Sequence, residues 1–152
     1  MELTTNVPNL GTVKYKKLSE HAKQPVQGTS GSVGYDLFAS KSIKIATGQV
    51  AKVETGLAFE LPNNVKMDLR PRSSFGSRNI LIANSPATID SDYRGEVKVL
   101  IKNDSGSDLV IERGDKIAQA VYGFRFEVDH KEVDMINSTV RGEGGFGSTG
   151  AK

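Results

Sequence analysis

The sequence has no cysteine among its 152 residues, which excludes disulfides, zinc–thiolate centres and thiol nucleophiles. Tryptophan is also absent, and only five prolines interrupt the chain. No stretch approaches the ~18 apolar residues of a membrane-spanning helix. The opening MELTTNVPNLGTVKYKKL contains no apolar run of signal-peptide length. A cytoplasmic protein is expected, in the host cytoplasm if the gene is viral. An excess of one charge is missing too: 20 basic residues face 18 acidic ones, for a net charge of +2. That balance is unsuited to an extended nucleic-acid surface, which needs a dense one-sided basic field. Neither direct nucleic-acid binding nor membrane association is expected.

What the chain does have is glycine, sixteen of them, and short runs of alternating hydrophobicity. VKMDLR, residues 65–70, places Val65, Met67 and Leu69 on one face and Lys66, Asp68 and Arg70 on the other. SIKI, QVAKVET, LAFEL, EVKVLIKN and KIAQAVYGF read similarly, with turns at TGQ, PNN and NDSGSD between them. Sustained 3.6-residue periodicity is lacking, and the best helical candidate is a turn or two at SSFGSRN, residues 73–79. Many short strands without helical spacers predict a single all-β domain, an antiparallel sandwich, jelly roll or distorted barrel. The alternation decays after about Val128. Residues 1–128 are therefore expected to form the core, and residues 129–152 a last strand followed by a flexible, glycine-rich C-terminal arm.

Three stretches carry chemistry. RGEGGFGSTG, residues 141–150, satisfies the Gly-x-Gly-x-x-Gly spacing. It lacks the flanking strand and helix of a dinucleotide fold, and Ser148 stands where a Walker loop needs lysine. Composition alone reads as a disordered tail. Against that, Arg141 offers a phosphate-pairing fork and Phe146 a large aromatic surface, which suits an arm closing over a planar phosphorylated ligand. The twelve residues from Arg141 onward span up to ~40 Å when extended, enough to reach a neighbouring subunit. RPRSSFGSRN, residues 70–79, combines arginines, serines and a glycine after a strand, a set suited to phosphate unless it is simply a solvated turn. IANSPATIDSDYRGEV, residues 82–97, reads as a hairpin. If extended, its Asp90 and Asp92 share a face, available for a metal or a water, or paired with Arg94 as a plain strand end. His21 and His130 lie outside every motif.

Taken together these stretches resemble the trimeric dUTPase family. Its five ordered motifs correspond to VGYDLFA (33–39), RPRSSFG (70–76), NSPATIDSDYRGEV (84–97), GDKIAQAV (114–121) and RGEGGFGSTG (141–150). The resemblance implies a dUTPase-like distorted jelly roll and a homotrimer with active sites shared between subunits. It also implies Mg²⁺-assisted hydrolysis of dUTP to dUMP and pyrophosphate. In that reading Asp90 is the general base for the attacking water, and Asp36 assists through a metal-bound water. Arg72, Ser73, Ser74 and Gln119 cradle the phosphates. Asn84 and the backbone at Thr88 and Ile89 read the uracil edge, while Tyr93 packs on the deoxyribose. From the arm, Phe146 stacks on uracil, and Arg141, Gly147 and Ser148 engage the terminal phosphates.

Ser74 and Ala87 stand where the family often has glycine, and Val33 where it often has alanine. None of these removes a proposed catalytic group. Two rivals share the resemblance: a dCTP deaminase-like enzyme, and a dUTPase-like regulatory binding protein. Tyr93 within IDSDYRG and the complete arm favour the dUTPase reading.

Overall fold

A computed structural model describes residues 7–150, which form twelve short strands and one helical turn. In chain order these are β1 (Lys14–Lys17), β2 (Val26–Gln27), β3 (Tyr35–Phe38), β4 (Ile43–Ile45), β5 (Val50–Glu54) and β6 (Leu57–Glu60). β7 (Val65–Arg70), α1 (Ser73–Gly76), β8 (Ile80–Ile82), β9 (Ala87–Ile89), β10 (Lys98–Asn103), β11 (Leu109–Ile111) and β12 (Lys116–Phe124) follow. Every pairing is antiparallel. The strands form a jelly-roll-like set of small sheets: β1-β6, β5-β10-β8, β11-β4, and the five-stranded β2-β3-β12-β7-β9.

The expected all-β fold is formed, and its core follows from the alternation. Val65, Met67 and Leu69 turn inward and are essentially free of solvent, as are Leu37, Ile101, Ile117 and Ala120 from the facing strands. Fully burying side chains of this size contributes about 1.5–3 kcal/mol each. The expected NDSGSD turn is held from within. The buried Asn103 amide donates to the carbonyls of Ile45 and Ser107, both at 2.8 Å, so this loop is tied to β4 rather than left to solvent. Burial pushes the Tyr122 hydroxyl up to about 12. Its ring packs edge-on to Tyr35 with centroids 5.6 Å apart, and it is a neutral, partly buried residue packed against the core.

The strand expected after Val128 is not formed within the chain. Residues 125–150 contain only turns and bends. Their apolar side chains Phe126, Val128, Met135, Ile136 and Val140 are exposed, because no strand among the described residues lies alongside to pair with them. No helix among the described residues is long and apolar enough to cross a membrane.

Candidate active site

The five-stranded sheet positions most of the candidate residues, and its register decides which of them meet. β12 lies between β3 and β7, so Gln119 stands opposite Asp36 on one side and Arg70 on the other. Just beyond β7, the chain turns at Pro71 and Arg72 into α1, a single helical turn at Ser73–Gly76 where a turn or two were expected over residues 73–79. The result is one cluster. Asp36 is held between two cations, 3.5 Å from Arg72 Nε and 3.2 Å from Lys116 Nζ. Arg72 Nη1 donates to Ser74 Oγ at 3.4 Å, and Gln119 Nε2 donates to the Pro71 carbonyl at 3.2 Å. From Phe75 onward the amides of the turn are used by Arg72 and Ser73 carbonyls. Those of Ser73 and Ser74 have no backbone partner among the described residues. Beside the cluster lies an open cleft of about 400 Å³ whose lining includes Arg72, Phe75, Arg78, Asp115 and Lys116.

Two members of this cluster escaped the sequence reading. Lys116 carries no motif signal beyond its place in GDKIAQ. Gly34 is required by space: a Cβ there would sit 3.0 Å from Gln119 Cδ and closer still to its amide oxygen. Only a residue without a side chain lets Gln119 lie against β3 and turn its amide toward Pro71.

The hairpin residues lie elsewhere. β9 pairs with β7 as Leu69↔Ala87, Asp68↔Thr88 and Met67↔Ile89. One more step sets Asp90 across from Lys66, at the start of β7, whereas Gln119 faces Arg70 at its end. The two positions are four residues apart along one strand, about 13 Å at roughly 3.3 Å per residue. Asn84 sits exposed in the turn before β9. Asp90 is exposed, and no cation lies within ion-pair distance of it among the described residues. Arg94 does not pair with Asp90 or Asp92. Its guanidinium donates instead to the Ser91 and Tyr93 carbonyls, at 2.7 and 3.3 Å, because the Asp90–Tyr93 turn brings its own backbone closer. Tyr93 Oη donates to the Glu96 carbonyl at 3.0 Å. Its ring lies against Gly95, where a Cβ would stand 2.6 Å from Tyr93 Cζ.

The largest surprise is Asp68. Alternation puts it on the polar face with Lys66 and Arg70, yet it is only 4% exposed and is the one buried charged side chain among the described residues. Thr88 Oγ1 donates to its Oδ1 at 2.7 Å and Lys66 Nζ to its Oδ2 at 3.0 Å. Burial alone would raise the Asp68 carboxyl, but Thr88, Lys66 and the more distant Arg70 hold it below the usual aspartate range. The charge is buried because it is paired and hydrogen-bonded. Local sequence carries no sign of this, since the partner Thr88 lies twenty residues on.

The arm residues are apart from both clusters. Arg141 Nε donates to the Gly144 carbonyl at 2.7 Å, a local turn, and the Phe146 side chain is fully exposed. Phe146 and Gly147 have φ of +52° and +83°, a left-handed region that Gly147 enters without steric cost and that is uncommon for a residue such as Phe146. Ser148 is exposed as well.

No group of three or more His, Cys, Asp or Glu side chains converges among the described residues. Among the described residues there is therefore no ready-made protein cage for a metal. A hard cation bound mainly through substrate oxygens and water is the arrangement such a donor set fits.

Comparison with known proteins gives the arrangement its family. A dUTPase family profile matches residues 20–150. The chain belongs to the dUTPase family. It is 44% identical over 139 residues to the deoxyuridine 5'-triphosphate nucleotidohydrolase of Helicobacter hepaticus, covering 91% of this chain and 88% of the relative. The Rickettsia bellii protein of the same name is 44% identical over 142 residues, covering 91% and 95%. Among solved structures, the dUTPase of Staphylococcus bacteriophage 80alpha with dUPNHPP superposes with a TM-score of 0.84 at 27% identity, covering 91% of this chain and 98% of the other. The dUTPase matches and the jelly-roll-like fold agree on the frame in which the clusters are to be read.

Proposed function

We propose that the protein hydrolyses dUTP to dUMP and pyrophosphate by attack of water on the α-phosphorus, limiting uracil incorporation into DNA and supplying dUMP. The supporting observation is the division of labour across the five-stranded sheet. A carboxylate that is exposed and has no cation partner among the described residues stands beyond one end of β7, and a cradle of Arg72, Ser73, Ser74 and Gln119 stands beyond the other. A base needs a free carboxylate, and a triphosphate needs cations and unspent amides.

In this mechanism Asp90 orients the water and takes its proton as the bond to phosphorus forms. Arg72 and the serine hydroxyls hold the phosphate oxygens as charge moves onto the leaving pyrophosphate, a stabilisation that matters most in the transition state. Asn84 and the backbone at Thr88 and Ile89 read the polar edge of uracil. Such an edge-reading site rejects a base with the wrong donors far better than an apolar slot does. Tyr93, braced against Gly95, fills the space a 2′-hydroxyl would need. Phe146 covers the base, and Arg141, Gly147 and Ser148 close on the terminal phosphates. Asp36 would hold a Mg²⁺ ion on the triphosphate through a water, and that ion would supply charge neutralisation for the leaving group.

The site is assembled from more than one chain, in a homotrimer. A phosphate held by Gln119 and Arg72 is beyond reach of a water held by the same chain's Asp90, given the ~13 Å between their positions along β7. The exposed apolar ribbon from Phe126 to Val140 gives each chain a surface to lay on a neighbour. The reaction is expected in the cytoplasm, where nucleotide pools lie.

The test is product identification with dUTP, dCTP, TTP and UTP in H₂¹⁸O with Mg²⁺. The reading expects turnover of dUTP alone, with the label in dUMP. Label in pyrophosphate would contradict attack at the α-phosphorus, and conversion of dCTP to dUTP would establish the deaminase reading. Asp90→Asn should lower kcat by about 10²–10⁴-fold, the range of general-base contributions, while dUTP still binds.

A further inference from the structure

Asp68 has no part in the mechanism above, yet it is buried, charged and tied to both strands of the candidate base. Its surroundings show what it does. Continuing the β7–β9 register by one step sets Asp90 across from Lys66, on the same outward face as Asp68 and Thr88. Two cations neighbour the base, with Asp92 the other charged group on its turn: Arg94, whose guanidinium is engaged by the Ser91 and Tyr93 carbonyls, and Lys66, across the strand pair, whose side chain is 41% exposed and could swing across through solvent. Lys66 lies the other way. Its ammonium is 3.0 Å from Asp68 Oδ2. Its stem runs over β12, where a Cβ at Gly123 would meet Lys66 Cε at 3.4 Å. Thr88, two residues before Asp90, fixes the second oxygen of Asp68 from β9. The charged groups around this carboxylate are Lys66 and Arg70 on its own strand. Opposite it on β12 the facing residues are Gln119, Val121 and Gly123, and on β9 only Asp90 follows Thr88.

We infer that Asp68 is a positioning residue that holds the Lys66 ammonium on the β12 side of the sheet and so keeps Asp90 free to act as a base. The Thr88 hydroxyl locks the carboxylate in place, and the glycine at position 123 leaves room for the lysine stem. An ammonium that reached Asp90 would stabilise its carboxylate and weaken it as a proton acceptor, because an opposite charge within about 4–6 Å favours the charged form.

The inference rests on Asp90 being the base, and the experiment separates the two. Asp68→Asn keeps the shape of the side chain and removes the charge that holds Lys66. The full-length enzyme carrying it should lose about tenfold in kcat on dUTP. The acidic limb of its kcat–pH profile should move down by about one pH unit, at the lower end of the shifts an adjacent opposite charge produces. Asp68→Asn combined with Lys66→Met should return both kcat and the acidic limb toward the parent values, and Asp68→Glu should keep the parent profile. A merely structural role for Asp68 would lower stability without moving the limb, and removing Lys66 would not rescue it. An unmoved limb, or no rescue in the double variant, overturns the inference. Should Asp68→Asn fail to fold, Lys66→Met alone decides the matter. The inference expects its acidic limb to stay at the parent position, and a shift to higher pH would mean Lys66 already acts on Asp90. Loss of the base reading itself would show differently, as near-normal turnover by Asp90→Asn.

Discussion

Removing residues 141–152 should separate stability from turnover. In the single chain the described part of this segment makes only local contacts: Arg141 to the Gly144 carbonyl, Gly142 to Thr139, and short turns beyond. The Phe146 ring touches no core residue, being fully exposed. Among the described residues nothing buried is uncovered by truncation after Val140, so the melting temperature should change by less than about 2 °C, given that 1 kcal/mol shifts a chain of this size by roughly 2–4 °C. Turnover should respond very differently. An aromatic stack contributes about 0.5–1.5 kcal/mol and a charge-assisted hydrogen bond from Arg141 about 1.5–3 kcal/mol. Together, about 2–4.5 kcal/mol of transition-state binding corresponds to a loss of roughly 30- to 2,000-fold in kcat/KM at 1.36 kcal/mol per tenfold. Initial rates of pyrophosphate release from dUTP, beside thermal melts of the same preparations, give both numbers. A truncated protein that melts several degrees lower while turning over dUTP normally would refute the reasoning, since the arm would then be part of the core and not of the site.

Two further outcomes follow from particular contacts. Gly95→Ala places a methyl group 2.6 Å from Tyr93 Cζ, which must push the ring from its bond to the Glu96 carbonyl. Turnover of UTP relative to dUTP should then rise by about tenfold, equivalent to ~1.4 kcal/mol of lost discrimination, and competition between the two nucleotides measures it. Acid stability follows from carboxylates held below their ordinary range. Asp68 is held down against its burial by Thr88, Lys66 and Arg70, and Glu54 and Glu60 by bonds to Lys41 and Lys14. Their folded values lie below their unfolded ones, so their stabilisation is complete above the unfolded range and is lost as pH falls through the folded one. Thermal melts should be flat from pH 7 to about 5 and should fall below about pH 4, where free carboxylates titrate; stability that rises on acidification would contradict the assigned pairings.

What the sequence revealed depended on whether a residue's partners were local. VKMDLR, LAFEL and KIAQAVYGF alternate because each has one face on the core, and their ranges agree with β7, β6 and β12. β1, by contrast, is KYKK with every residue exposed. It pairs with β6 through its backbone, and no side-chain pattern announces that. In the Arg72–Gln119 cluster the arginine and serines were legible as residue types suited to phosphate, and Gln119 only through the family resemblance. The cluster's geometry was not, because Gly34 and Lys116 matter only through neighbours on other strands. Asp68 shows the limit most clearly. Period-two reading assigns it to solvent, and only the pairing of β7 with β9 reveals that Thr88 covers it. The last strand expected after Val128 failed for a related reason: the pattern records that apolar residues want cover, not whether a partner strand lies alongside them.

The central claim is that each site joins the base of one chain to the arm and phosphate cradle of others. Asp90→Asn and the truncation after Val140 are each expected to be nearly inactive, for different reasons. Unfolding the two together and refolding them gives mixed trimers in which an intact Asp90 meets an intact arm only across an interface. The measurement is dUTP turnover by trimers verified as mixed by mass. The account predicts activity well above that of either parent refolded alone. Turnover no higher than the parents' would contradict it, because a site completed within one chain cannot be restored by mixing.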